Sequence, residues 1–266
     1  MAFQKANLSR LVKFNSDASC ALVNIYEDEV KKEIAENNKN YCYRTFSPSS
    51  FRCERVQWFR LRGVEPETPS RPDLSLNFTA KLGTACHEII QMRLIKALGA
   101  DWIAVPDYLK EHPIPYEYEL SHDDNDIRPG GDFETRITIS DPPIRLSCDG
   151  ILRILGEYYL LEIKSSELKS FDKLTEPKPQ HVEQAKTYGV LLGLHKVLFM
   201  YIDRQFGGIK VFEMSITEHD RRYVLSKMDR VMRAVETNVA PSPLQTRHIE
   251  CSPNTCPYYK KCLEWG

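Results

Sequence analysis

The stretch that most constrains this chain runs from Cys148 to Ser166 and reads CDGILRILGEYYLLEIKSS. Aliphatic and aromatic residues flank Gly156-Glu157, the pattern of two short strands joined by a turn. Asp149 falls in the first strand, and Glu162 and Lys164 fall at the end of the second. Residues two apart in a strand share a face, and an antiparallel neighbour brings Asp149 alongside them. Charges at strand ends are common, and an acid-x-lysine tripeptide arises by chance. Here, however, ILRIL and YYLLEI are apolar enough for a buried sheet, where a charge is costly unless it is paired or binds a cation. The segment reads as a metal site with a lysine beside it.

Composition narrows the partners more than the fold. The 266 residues are 42% hydrophobic and 27% charged, an ordinary globular balance. Apolar runs such as VLLGL and VLFMYI fall far short of the roughly 20 residues that span a bilayer. The beginning, MAFQKANLSRLVKF, lacks an apolar signal core, so a cytoplasmic or nucleoid-associated protein without membrane partners is expected. A net charge of −1 means that any contact with nucleic acid relies on a local basic groove.

Along the chain, YEDEVKKEIAENNKN is a charged helical candidate. Ser49 or Ser50 would cap a short helix, SFRCERVQWFRLRG, carrying Arg52, Arg55, Arg60 and Arg62 among Phe51, Trp58 and Phe59. That mix suits a nucleic-acid backbone and its bases, and equally an amphipathic surface helix. Residues 64–77 read as a loop, followed by a helix from about Thr79 to Leu98 whose apolar face includes Leu82, Cys86, Ile89, Ile90, Leu94, Ile95 and Leu98, with His87 at its edge. Strand-like segments at Pro115–Glu119 and Glu134–Ile139 enclose an acidic loop. Its Asp123, Asp124 and Asp126 lack the terminal glutamate of a calcium loop. After the hairpin come a helix near Val182–Leu194, strands KVLFMYIDR and GIKVFEMSI, and a final helix from Glu218. Gln184 and Tyr188, four apart, share a helix face; they could touch a substrate phosphate or orient the lysine, or Tyr188 could simply pack. The order predicts an α/β (mixed α+β) fold with a mixed sheet flanked by helices.

The chain has eight cysteines, and three of them, Cys251, Cys256 and Cys262, crowd a proline-broken tail with little core to bury them. A metal accounts for them better. Zinc could be bound locally by these three with His248, whereas an iron-sulfur cluster needs a fourth cysteine, for which Cys53 is the natural candidate. Cys86 and Cys148 read as small buried residues.

Six motifs in order, SPSSFRCERVQWF, GTACHEII, CDG, LLEIKSS, QAKTY and the three-cysteine tail, resemble the PD-(D/E)XK nuclease superfamily. Within it they resemble the RecB-like exonucleases with a four-cysteine iron-sulfur cluster, such as CRISPR-adaptation nucleases and AddB-type subunits. The resemblance covers about residues 47–262 and implies a restriction-endonuclease-like core. It implies Mg²⁺ or Mn²⁺ held by His87, Asp149, Glu162 and the Ile163 carbonyl, Lys164 beside the attacking water, and support from Gln184, Tyr188, Arg52 and Arg55. It also implies a 4Fe–4S cluster on Cys53, Cys251, Cys256 and Cys262. The chain departs from the family in having four residues, not two, between Cys251 and Cys256. Three regions are expected: a helical part, 1–63, giving one cluster cysteine; a nuclease core, 64–240; and a tail, 241–266.

The function implied is metal-dependent exonucleolytic cleavage of DNA, single-stranded or end-containing, in recombination, repair, or CRISPR-type fragment processing and antiviral defence. A viral or mobile-element origin and a helicase, integrase or recombination partner are compatible with it. The competing reading from another class is a catalytically silent DNA-end-binding module in a larger helicase-nuclease or integration complex.

Overall fold

The computed structural model describes residues 17–39, 44–67, 74–121, 135–244, 251–253 and 256–265. The acidic loop with Asp123, Asp124 and Asp126, and His248, lie outside the described residues. The chain divides into two compact units, residues 1–42 with 68–83, and residues 43–67 with 84–266. In the first, α1 (Asp17–Lys39) begins well before the charged run that signalled it, and Glu33 pairs with Lys81 at 2.6 Å. Lys81 lies in the early turns of α3 (Leu74–Leu98), which starts inside the segment read as a loop and continues into the second unit.

The second unit is built on a five-stranded sheet in the order β1 (Trp102–Ile103), β5 (Gly150–Ile154), β6 (Glu157–Ser166), β7 (Lys196–Asp203), β8 (Ile209–Ser215). Only β6 and β7 run parallel, because the chain between them crosses over through α5 (Leu168–Asp172) and α6 (Pro179–Leu192). The other pairings are antiparallel, so the sheet is mixed. A separate three-stranded sheet is formed by β2 (Tyr118–Ser121), β3 (Arg136–Ile139) and β4 (Ile144–Ser147). β4 and α4 (Val105–Glu111) left no clear sequence signal.

Strand alternation sorts the core onto two faces. Leu161 and Ile163 of β6 pack with Leu152 and with Ile90 of α3. Leu160, and Val197, Phe199 and Tyr201 of β7, join the larger core that includes Ala185 and Tyr188 of α6. Glu162 and Lys164 point to this second face, opposite Phe199 and Tyr201. Behind α6 lies α7 (Glu218–Glu236), started by a reciprocal cap between Thr217 and Asp220 and buried along Val224, Lys227, Met228 and Val231.

The short arginine-rich helix is neither amphipathic nor on the surface. α2 (Glu54–Leu61) begins after Cys53, not at a serine, and buries Arg55, Val56, Gln57, Trp58, Phe59 and Arg60. It is walled in from two sides: Trp58 donates to the Ala234 carbonyl of α7 at 3.0 Å, and Phe59 stacks on Tyr258 of the tail at 5.1 Å. Arg62 is exposed and lies over the Trp58 ring.

The central hairpin closes in two residues, Leu155 and Gly156, between the pair Ile154 and Glu157. Both have positive φ, 53° and 82°, as a type I′ turn requires. Leucine is poorly suited to that conformation, and its side chain is 98% exposed. Leu155→Asn is expected to stabilise the protein by about 1 kcal/mol. Denaturant midpoints check this, and an unchanged or lowered midpoint contradicts it.

Candidate functional site

The site starts from one residue outside the sheet. Asp149 is not within the first strand of the hairpin; it sits in the bend immediately before β5. There its Oδ2 accepts the Ile163 backbone N–H at 2.6 Å, across the hairpin, and its Oδ1 lies 3.1 Å from His87 Nδ1 on α3. Gln91, one turn after His87 and fully buried, donates to the Asp149 carbonyl at 2.8 Å. The next residue must be glycine for a steric reason. A Cβ on Gly150 would stand 2.6 Å from the Trp102 ring, which is rigid and cannot yield as an aliphatic chain end would.

Glu162 and Lys164 occupy the middle of β6, which runs on to Ser166, and not its end. Glu162 is 1% exposed and forms an ion pair with Lys164 through Oε1, yet neither of its oxygens has a hydrogen bond of proper geometry. Burial pushes its carboxyl up to about 7, and the Asp149 charge adds to this against the pull of Lys164. Burial works in the opposite sense on Lys164, but the carboxylates of Glu162 and Asp149 outweigh it and raise that ammonium above its ordinary value. A buried carboxylate with one ammonium partner, no hydrogen bond of proper geometry and a second carboxylate nearby is a costly arrangement that a further cation relieves.

Gln184 donates to the Tyr188 hydroxyl at 3.3 Å, and Tyr188, 5% exposed, lies within electrostatic reach of Glu162 and Asp149. Burial raises its phenol strongly, so it stays protonated. His87, Asp149, Glu162, Lys164, Gln184 and Tyr188 thus come together from α3, β6, α6 and the bend before β5. Three further residues join them. Tyr201, register partner of Lys164, accepts the Lys178 backbone N–H at 3.0 Å and shares a hydrogen bond of 2.7 Å with His181 Nδ1. Burial first, then Lys164 and Lys178, hold this imidazole down to about 3, so it remains neutral. Gln91 and His181 were findable, being four residues after His87 and three before Gln184 on the same helix faces. Tyr201 was not, because only the parallel register sets it against Lys164.

The cysteines fall into two groups. Cys148 is buried and its thiol is pushed up to about 12; Cys86 is half-buried and also raised by burial. Cys53, at the start of α2, is within electrostatic reach of Cys251 and Cys262, and Cys256 is within reach of all three. All four are free thiols. The protein itself draws these segments together: Glu67 N–H donates to the Pro257 carbonyl at 2.7 Å, and the Lys261 N–H donates to Glu67 at 2.8 Å. Among the described residues, no group of three or more His, Cys, Asp or Glu side chains is placed so that it could hold a metal ion. By donor type alone, the four thiols would suit zinc or an iron-sulfur cluster, and the carboxylates a hard divalent cation.

The two arginines have different fates. Arg52 lines an open groove with Lys227, Arg230 and Arg233 of α7, a volume of about 860 Å³. Arg55 is 4% exposed and spends its donors on Pro241 and Cys262, so it is not presented to a substrate. No described helix is long and apolar enough to cross a membrane.

No protein-family model matches this chain, and no curated protein does. Among solved structures it is similar to the crystal structure of SSO0001, at 18% identity over 90% of this chain and 96% of that one, with a TM-score of 0.48. It is also similar to the alkaline exonuclease LHK-Exo from Laribacter hongkongensis, at 14% identity over 74% and 91% of the two chains, TM-score 0.41. LHK-Exo in complex with dAMP matches at 16% identity over 51% of this chain and 64% of that one, TM-score 0.32. With identities and TM-scores this low, the functional reading depends on the side chains of this chain.

The Glu162 carboxyl gives a test of the site's electrostatics. Its folded value, about 7, lies above the ordinary 4.5, so ionising it opposes folding. Without metal, this contribution is absent below about pH 4.5, lowers stability as pH rises to about 7, and is constant above. Thermal melts in EDTA should show that slope in the wild type and lose it in Glu162→Gln. Identical slopes would refute the assignment.

Proposed function

We propose that this chain is a divalent-metal-dependent deoxyribonuclease that hydrolyses phosphodiester bonds, an exonuclease of the RecB-like type in the PD-(D/E)XK superfamily. The observation that carries the reading is Glu162: a fully buried carboxylate whose oxygens lack proper hydrogen bonds, set beside Asp149 and Lys164. Asp149 and Glu162, with His87 and the Ile163 carbonyl, would hold Mg²⁺ or Mn²⁺. When bound, such a cation polarises a phosphoryl oxygen and lowers the pKa of water.

The chain's own residues do the rest. The Ile163 N–H and His87 fix the Asp149 carboxylate in place, so it needs no reorganisation when substrate arrives. Lys164, held protonated by the two acids, sets a positive charge where phosphate charge develops. Tyr188 stays protonated and acts as a donor and not as a base, and His181 stays neutral. Lys178 stands within electrostatic reach of His181, and Arg204 within reach of Cys86, adding to a positive local field that suits a polyanion despite the net charge of −1.

The second metal in this reading is a 4Fe–4S cluster on Cys53, Cys251, Cys256 and Cys262. It is favoured over zinc on His248 and the tail cysteines because Cys53 lies within electrostatic reach of the tail thiols. The substrate is single-stranded or end-containing DNA, in recombination, repair or fragment trimming, with a helicase, integrase or recombination protein as the fitting partner.

Lys164→Ala should reduce Mn²⁺-dependent cleavage of end-labelled DNA by at least a hundredfold, or about 3 kcal/mol of barrier, while DNA binding persists. Unchanged cleavage would sink the assignment. Protein purified without oxygen should be brown, and Cys53→Ser should lose the colour. A colourless protein with tightly bound zinc, indifferent to Cys53, would favour the local site instead.

A further inference from the structure

Arg55 is a buried charge without a buried counter-charge. The residue is 4% exposed and stands at the second position after Cys53. Nε donates to the Pro241 carbonyl at 2.6 Å, and Nη1 donates to the Cys262 carbonyl at 3.1 Å and to Cys262 Sγ at 3.7 Å. These acceptors are two neutral carbonyls and one sulfur; among the described residues no carboxylate pairs with Arg55. The adjacent buried cation is satisfied differently. Lys227, 3% exposed, has Glu183 at 3.4 Å as well as the Tyr223 hydroxyl at 3.0 Å. A guanidinium keeps its charge under all conditions a protein meets, so burying it without an anion is strongly unfavourable. Among the described residues, a group able to become anionic that does receive its N–H is the Cys262 thiol, and Cys53, Cys251 and Cys256 lie within electrostatic reach of that or of one another.

We propose that Arg55 is the counter-ion of a metal-bound thiolate group formed by these four cysteines, and so sets how tightly that metal is held. The inference rests on the metal-cluster reading above, and adds to it a residue that is not a ligand. Four thiolates around an iron-sulfur core or a divalent zinc leave net negative charge. An N–H to sulfur and a full positive charge beside it stabilise that anion. The same guanidinium ties the Pro241 segment and the tail to α2, so charge and position are supplied together.

Arg55→Lys and Arg55→Gln separate the two contributions, since both keep a donor and only lysine keeps the charge. The full chain is purified anaerobically, its iron, sulfide and zinc are measured, and loss of metal to excess EDTA is followed by absorption and metal analysis. Arg55→Gln should release metal at least tenfold faster than wild type, with Arg55→Lys within threefold of it. Near-ultraviolet circular dichroism of each protein before EDTA is added establishes that the fold is intact. A purely structural role would make the two variants release metal alike, and that result overturns the proposal while leaving the cluster standing. Wild type free of iron and zinc overturns both. If Arg55→Gln does not fold, the lysine variant decides: release within threefold of wild type supports the charge, and release tenfold faster or more overturns it.

Discussion

Asp149 holds the molecule's chemistry to one point. Its two oxygens take the Ile163 amide from the hairpin and face His87 from the long helix, while Gln91 holds its carbonyl. Two elements far apart in sequence therefore meet through one carboxylate. Gly150 makes this possible because it lets the Trp102 ring lie directly on the backbone beside Asp149. The cost of the arrangement falls on Glu162, whose carboxylate is enclosed by the sheet, Tyr188 and Lys164 without proper hydrogen bonds. Folding stability is given up there, as it is wherever a carboxylate is enclosed without full hydrogen bonding.

The second organising contact lies at the other end of the fold, where α2 is enclosed by α7 and the tail. Trp58, Phe59, Tyr258 and Trp265 form an aromatic cluster with ring centroids 5.1 Å apart in three pairs. Such contacts join the helix that follows Cys53 to the tail that carries Cys256 and Cys262. A metal there would reinforce packing that already exists, and the buried Arg55 is the residue whose charge asks for it.

Several parts were legible in the chain for definite reasons. Alternation around Gly156 exposes the hairpin, and His87 and Gln184 with Tyr188 stand out as polar residues on otherwise apolar helices. Arg55 and Arg60 of α2 misled, because four arginines in fourteen residues look solvent-facing. Their environment is set by α7 and the tail, which local periodicity does not report. β4 and α4 were missed because each is short and its signal is interrupted by proline. Asp149 was assigned to the strand when it lies just outside it, a one-residue difference that changes its role from cross-strand neighbour to acceptor of the Ile163 amide.

By itself the sequence determined the mixed order of helices and strands, the hairpin and the residue types available for chemistry, since propensity and apolar period are local properties. Only the tertiary structure decided that Tyr201 stands beside Lys164 and that His181 is neutral. It alone decided that Glu162 is unsatisfied and that Arg55 is turned inward to Cys262. Those outcomes depend on strand register and on burial, and both are set by contacts between residues distant in the chain.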